Sequence, residues 1–207
     1  MPKSYGLIEL PKAVSLSDYD VIDDPYCYKG TFVLKNKADI RDAERLEAFE
    51  LEMSNSRAQE PLPPGKFTPQ HYCKIHHHLF RDVYTWAGKP RTVRTSKGGN
   101  AFCYPEYIDR EMKKLFAKLR TEVFLPGAER GAFVTAAADF LAELNAIHPF
   151  REGNGRSQLA FLHLLGLRSG HPFELQRIDR ETFLPAMIAS FGGNNEPLLG
   201  ELKKLLT

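Results

Sequence analysis

The chain has 207 residues, 43% hydrophobic and 26% charged, with a net charge of +2. That length fits one folding unit with a real core, and the composition is ordinary for a globular protein. The charge is too balanced to argue for direct nucleic-acid binding, and charges interrupt every apolar stretch within about 18 residues, which argues against a membrane span.

Cys27, Cys73 and Cys103 are odd in number and fall in no metal spacing. They read as reduced thiols in a cytoplasmic protein. No basic segment followed by an apolar run opens the chain, so no signal peptide is expected.

Residues 1 to about 33 are rich in Pro, Asp and Tyr and read as an irregular arm packed by its aromatics. Asp39 to Met53 then carries Ile40, Ala43, Phe49 and Met53 at roughly helical spacing. Glu60-Pro61-Leu62-Pro63-Pro64-Gly65 reads as a stiff loop between helices. Thr68-Pro69 starts a second helix, with a hydroxyl at the cap and proline at the first helical position. Its apolar face runs through Tyr72, Ile75, Leu79, Val83 and Trp86, with Gly88 as the stop. His71, His76, His77 and His78 radiate around this helix instead of converging, so no metal site is expected there.

Arg91 to Ser96 and Ala101 to Tyr104 favour strand and flank Lys97-Gly98-Gly99-Asn100. They predict a hairpin over residues 91–104 that must lean on the helices, with an edge open to another chain. Pro105 opens a third helix. A fourth runs from about Gly131 to Ile147, and a fifth from about Gly155 to Ser169, closed by Gly170. The fifth is apolar on nearly every side, which places it in the middle of a bundle. Asp179 and Asn195 read as caps of two closing helices, the first kinked at Pro185. The expected fold is all-α: one domain over 1–207, a helical bundle with a small β-hairpin, and a helix–loop–helix over 131–169.

The chemistry concentrates in His148-Pro149-Phe150-Arg151-Glu152-Gly153-Asn154-Gly155-Arg156. Pro149 pushes His148 out of helical geometry, to a helix end beside a loop. Gly153-Asn154-Gly155 precede a helix whose first amides lack intrahelical partners and carry the positive end of its dipole, which suits phosphate. Arg156 can add a bidentate charge. Glu152 can hold Mg²⁺ between phosphates, and His148 can take a proton from a hydroxyl.

These nine residues resemble the active-site motif of Fic-domain proteins (the Fic/Doc family), His-x-Phe-x-[Asp/Glu]-Gly-Asn-Gly-Arg-x-x-Arg. Phe80 to Lys89 is similar to the helix end before the family's flap, and Arg91 to Phe102 to the flap itself. Asp24-Pro25-Tyr26 and Leu34-Lys35-Asn36-Lys37 are similar to the opening of toxin-type members. The resemblance implies a Fic-type bundle and transfer of AMP from Mg²⁺-bound ATP to a hydroxyl of a target protein held along the flap hairpin by strand pairing. It implies His148 as base, Glu152 as Mg²⁺ ligand, Gly153, Asn154 and Gly155 as the anion nest, Arg156 on phosphate, and Lys97 and Phe102 as flap residues near nucleotide or target. For toxin-type members it implies a bacterial topoisomerase subunit as target, where secreted members modify host GTPases, and as regulation either a separate small antitoxin or no glutamate control.

One position departs from the pattern. The motif's last arginine falls at Leu159. In the family that arginine clamps the distal phosphates and meets an inhibitory glutamate. Two further readings therefore stand beside AMP transfer: a protein-binding module without turnover, and a Doc-like phosphotransferase, against which Gly153 and Gly155 argue. Ser56-Arg57-Ala58-Gln59-Glu60 loosely fits an inhibitory pattern, but Pro61 follows.

Overall fold

The computed structural model describes residues 24–97 and 99–207. Among them lie α1 (Ala43–Ala58), α2 (Pro69–Phe80), α3 (Pro105–Ala117), α4 (Arg130–Ile147), α5 (Asn154–Ser169), α6 (Arg180–Phe191) and α7 (Glu196–Leu205). A two-stranded antiparallel hairpin, β1 (Ser96–Lys97) and β2 (Asn100–Ala101), separates α2 from α3. The helical bundle with its small hairpin is as the sequence predicts.

Short polar side chains start the helices. Asp42 accepts the Arg45 N–H at 2.9 Å, Thr68 the His71 N–H at 3.3 Å, and Asp179 the Glu181 N–H at 2.9 Å. Glu129 takes two first-turn amides of α4, at 2.8 and 2.7 Å. Asn195 precedes α7 without capping it; its amide donates to Asp139 at 2.7 Å. Pro185 lies inside α6.

Two helix boundaries differ from the periodicity. The first helix begins at Ala43, not Asp39, because the Asn36 side chain captures both backbone groups of Ile40, at 2.9 and 2.6 Å. The second stops at Phe80, although Val83 and Trp86 remain buried. There the Val83 carbonyl accepts from the Lys37 N–H at 2.9 Å. The chain then turns back on α2 so closely at Gly88 (φ +81°) that a Cβ would lie 2.8 Å from the Cys73 carbonyl.

α5 packs between α2 and α4, α4 also meets α3, α6 and α7, and α1 covers α2. Phe161 of α5 is the aromatic hub, with ring centroids 5.3 Å from Phe116, 5.5 Å from Tyr72 and 5.8 Å from Phe140. Such rings are the largest single contributors to apolar burial in a core this size. The hub seats α5 between α2 and α4.

The described part of the arm docks beside the hairpin. Tyr26 meets Trp86 edge-on at 5.5 Å, and its hydroxyl accepts the Thr92 N–H at 3.1 Å. Residues 1–23 of the expected arm lie outside the described residues. The hairpin ladder is only two residues long on each side, shorter than the β-favouring runs. The flanking backbone groups are drawn to the end of α4 instead: the Arg91 N–H bonds the Pro149 carbonyl at 2.8 Å and the Cys103 N–H bonds Ala146 at 3.0 Å. Among the described residues no helix is long and apolar enough to cross a membrane.

Candidate active site

α4 ends at His148, which adopts the left-handed conformation (φ 48°, ψ 61°) while its N–H still bonds the Leu144 carbonyl at 3.1 Å. A non-glycine residue there is uncommon and strained. Pro149 makes the turn obligatory by excluding helical geometry before it. The imidazole stacks face to face on Phe102 of the hairpin, 3.8 Å between centroids and 11° between planes. Phe191 of α6 backs that ring edge-on at 5.5 Å. Nδ1 is the buried ring nitrogen, which leaves Nε2 for a substrate. Burial first, then the charges of Arg91 and Lys97, push the imidazole down to about 3; the Asn145 carbonyl works against them. His148 is therefore neutral, with its lone pair available.

The loop after His148 is locked from within. Asn154 exchanges two hydrogen bonds with Phe150: its Oδ1 accepts the Phe150 N–H at 3.0 Å and its Nδ2 donates to the Phe150 carbonyl at 2.8 Å. Phe150 is fully buried against His76 of α2, 3.8 Å away and stacked. His76 Nδ1 accepts the Gly88 N–H at 2.8 Å, so Nε2 carries the proton and donates it to the Glu152 carbonyl at 2.9 Å. Burial pushes this imidazole down to about 3 as well, with Arg156 and His77 adding repulsion.

Gly153 (φ +80°) then turns the chain into α5. A Cβ at Gly153 would lie 2.4 Å from the Phe80 ring, whereas one at Gly155 would meet nothing within 4 Å. The two glycines thus serve different needs. Gly153 is required by backbone and packing, while Gly155 is exposed on the first turn of α5 with nothing packed against it. Those amides have no intrahelical acceptor and carry the positive end of the dipole.

Both loop arginines point inward. Arg151 is buried and bonds Asp24 at 2.6 Å. Arg156 is buried beneath α1, paired with Glu50, bonded to Ser54 at 2.8 Å and lying 4.6 Å over the Phe80 ring. Tyr84 donates to the other Glu50 oxygen. Arg156 therefore does not face the space over Gly155, and the expected phosphate contact gives way to a role in holding α5 to α1. Phe102 likewise lies against the base, not in the anion nest. Lys97, half-buried in β1, contributes positive potential at His148.

Glu152 is half-buried, and its Oε1 accepts the Gly153 N–H at 2.8 Å. Burial and the nearby Glu50 charge hold its carboxyl above the usual carboxylate range, against the pull of Arg156. A divalent cation would relieve that penalty, and Mg²⁺ needs only one or two protein carboxylates when phosphates supply the rest. Glu152 fits that part. Leu159 is in the core, and Glu60, the last residue of the loose inhibitory pattern, is held by Arg57 at 2.8 Å and Arg81 at 3.5 Å.

Two measurements test this arrangement. Gly155→Ala should fold with at least parental stability, since alanine is preferred over glycine within a helix by about 0.5–1 kcal/mol, yet bind ATP at least tenfold more weakly by calorimetry. Gly153→Ala should lose about 1–3 kcal/mol of stability from the left-handed backbone and the Phe80 contact. For His76, the folded pKa lies below the unfolded value of about 6.5, so the unfolded chain takes up protons first as pH falls. His76's stabilising contribution is therefore complete above pH 6.5 and declines from there toward pH 3. Urea unfolding of the metal-free protein at pH 7 and pH 5 should show that loss. His76→Gln, which keeps a donor at the Nε2 position for the Glu152 carbonyl and does not titrate, should reduce it by on the order of 1–2 kcal/mol.

A family model described as the Fic/DOC family matches residues 66–166. The chain is 49% identical over 189 residues to the probable protein adenylyltransferase y4lH of Sinorhizobium fredii, covering 91% of this chain and 98% of that protein. It is 34% identical over 186 residues to the probable protein adenylyltransferase Fic of Escherichia coli, 88% of each. The crystal structure of the BepC protein of Bartonella tribocorum with bound AMPPNP is similar at a TM-score of 0.80 and 28% identity, over 90% of this chain and 98% of that one. With this motif on this bundle, the chain belongs to the Fic/DOC family.

Proposed function

We propose that the protein transfers AMP from Mg²⁺-bound ATP to a hydroxyl side chain of a target protein, with His148 as the general base. The observation that carries the reading is the pairing of a neutral imidazole with the open amide nest at the start of α5, across the five-residue loop 149–153. The relatives named as probable adenylyltransferases and the AMPPNP-bound structure support it.

The hydroxyl oxygen bonds the α-phosphorus as the bond to the bridging oxygen breaks, and pyrophosphate leaves. His148 Nε2 takes the hydroxyl proton. The Asn154, Gly155 and Arg156 amides hold the phosphates, and Asn154 acts with its backbone because its side chain is occupied by Phe150. Glu152 would hold Mg²⁺, which would offset phosphate charge. The nucleotide's own negative charge opposes that of Arg91 and Lys97, so loading raises the basicity of His148.

The target segment pairs with the free hairpin edge beside Phe102, a mode open to any exposed strand. For the target itself we take a bacterial topoisomerase subunit, and for the regulator a separate small antitoxin. Both rest on the resemblance to toxin-type members; a cytoplasmic location rests on the free thiols Cys27, Cys73 and Cys103. Glu60 is occupied by surface arginines, which favours a regulator outside the chain over one within it.

The decisive experiment is self-labelling with ATP carrying the label in the α- or the γ-phosphate. AMP transfer retains the α-label, a Doc-like phosphotransferase the γ-label, and a binding module neither. His148→Ala should lose on the order of 100-fold or more of the α-labelling rate, the range for removing a general base. An unchanged rate overturns the assignment.

A further inference from the structure

We infer that Arg91 is a positioning residue: its buried guanidinium fixes the backbone of His148 and couples it to the hairpin. The inference rests on the reading of His148 as the base.

Arg91 enters the hairpin from Pro90 and is 2% exposed, the largest of the fully buried side chains. Arginine is almost never buried to that extent without several partners. Among its partners in the described residues are backbone carbonyls of two kinds. Nε donates to His148 at 2.8 Å and Nη2 to Ile147 at 3.4 Å, while the Arg91 N–H takes Pro149 at 2.8 Å. Nη1 donates to Val93 at 2.6 Å and Nη2 to Cys103 at 2.5 Å. One planar group thus binds the last carbonyls of α4 on one side and both arms of the hairpin on the other.

Three consequences follow from that fork. A cation at a helix C-terminus is favourable, and the last carbonyls of α4 need donors. The left-handed backbone of His148 persists only if its surroundings over-determine it, and the Nε bond holds its carbonyl directly. Cys103 adjoins Phe102, whose ring stacks on the imidazole. The same guanidinium therefore sets both the backbone of the base and the face against which its ring rests. A target segment that pairs with the hairpin pulls on Val93 and Cys103, and through Arg91 on His148. Lysine cannot reproduce this, since it offers a point charge in place of a planar fork.

Among the described residues, the charged groups facing His148 are Arg91 and Lys97 from the hairpin side and Arg151 from the loop. The test compares the parent with Arg91→Lys and Arg91→Gln. The first quantity is the single-turnover self-labelling rate with α-labelled ATP across ATP concentration. The second is the nitrogen-15 signal of the His148 ring across pH 4–8. Arg91→Lys should lower the maximal rate at least tenfold while changing the half-saturating ATP concentration less than threefold. Its His148 ring should show mixed tautomers, or a titration within that pH range that the parent lacks. Arg91→Gln should lose as much rate and shift the titration further, because the charge is gone as well.

A parental maximal rate in a folded Arg91→Lys overturns the inference. So does a lost rate with an unaltered His148 signal, or the failure of both variants to fold, which would make Arg91 a purely structural residue. Failure of the base assignment itself reads differently: His148→Ala would label like the parent.

Discussion

Asn154 and Phe150 exchange two hydrogen bonds across the turn between α4 and α5, and the site is arranged around that exchange. A five-residue connection carries more backbone polar groups than it can satisfy within itself. The Asn154 amide disposes of both groups of Phe150, which lets the ring go fully into the core. His76 takes the Glu152 carbonyl from the α2 side, and Arg91 takes those of Ile147, His148 and Pro149 from the hairpin side. With these carbonyls bound inside the protein, the groups left to face outward are donors: the first amides of α5. Sorting acceptors inward and donors outward turns an ordinary helix–turn–helix into an anion nest.

The charges obey the same sorting. Arg151 and Arg156 are committed to Asp24 and Glu50, so the positive potential of the nest comes from the backbone dipole and from the hairpin. A backbone nest recognises phosphate without the reorganisation a long side chain would need. The cost falls on His148, whose protonation is opposed by burial, Arg91 and Lys97. An imidazole so suppressed is a poor base in the empty protein. On the proposed reading, bound phosphates would cancel part of that repulsion and tie proton acceptance to occupancy.

Much of the fold was legible because its signals are local. Thr68-Pro69, Pro105, Asp179 and Gly170 mark helix ends by groups that act within one turn. The second helix was read too long because Val83 and Trp86 kept the apolar rhythm; it is Lys37, far off in sequence, that takes the Val83 carbonyl. The site divides in the same way. His148, Gly153 and Gly155 follow from Pro149 and from the demands of a helix start. The side chain of Arg156 turns away from the expected phosphate because a motif reports which residues gather, not which way each points. The roles of Glu50, His76 and Arg91 are not legible, since nothing local tells a buried arginine, glutamate or histidine from a solvated one.

The Glu50–Arg156 pair shows why such long-range contacts matter beyond stability. A buried ion pair is seldom more stabilising than apolar residues of the same volume. What it supplies here is direction. Arg156 is anchored to Glu50 and Ser54 of α1 and lies over Phe80, and the Phe80 ring lies where a Cβ of residue 153 would fall. An apolar residue at 156 could fill the volume while letting α5 rotate about its axis, because apolar contacts tolerate small turns. Rotation by even a fraction of a residue would swing the first amides away from His148. The chain Glu50–Arg156–Phe80–Gly153 removes that freedom, so the orientation of the nest is set by a contact on the far side of the helix that never touches a substrate.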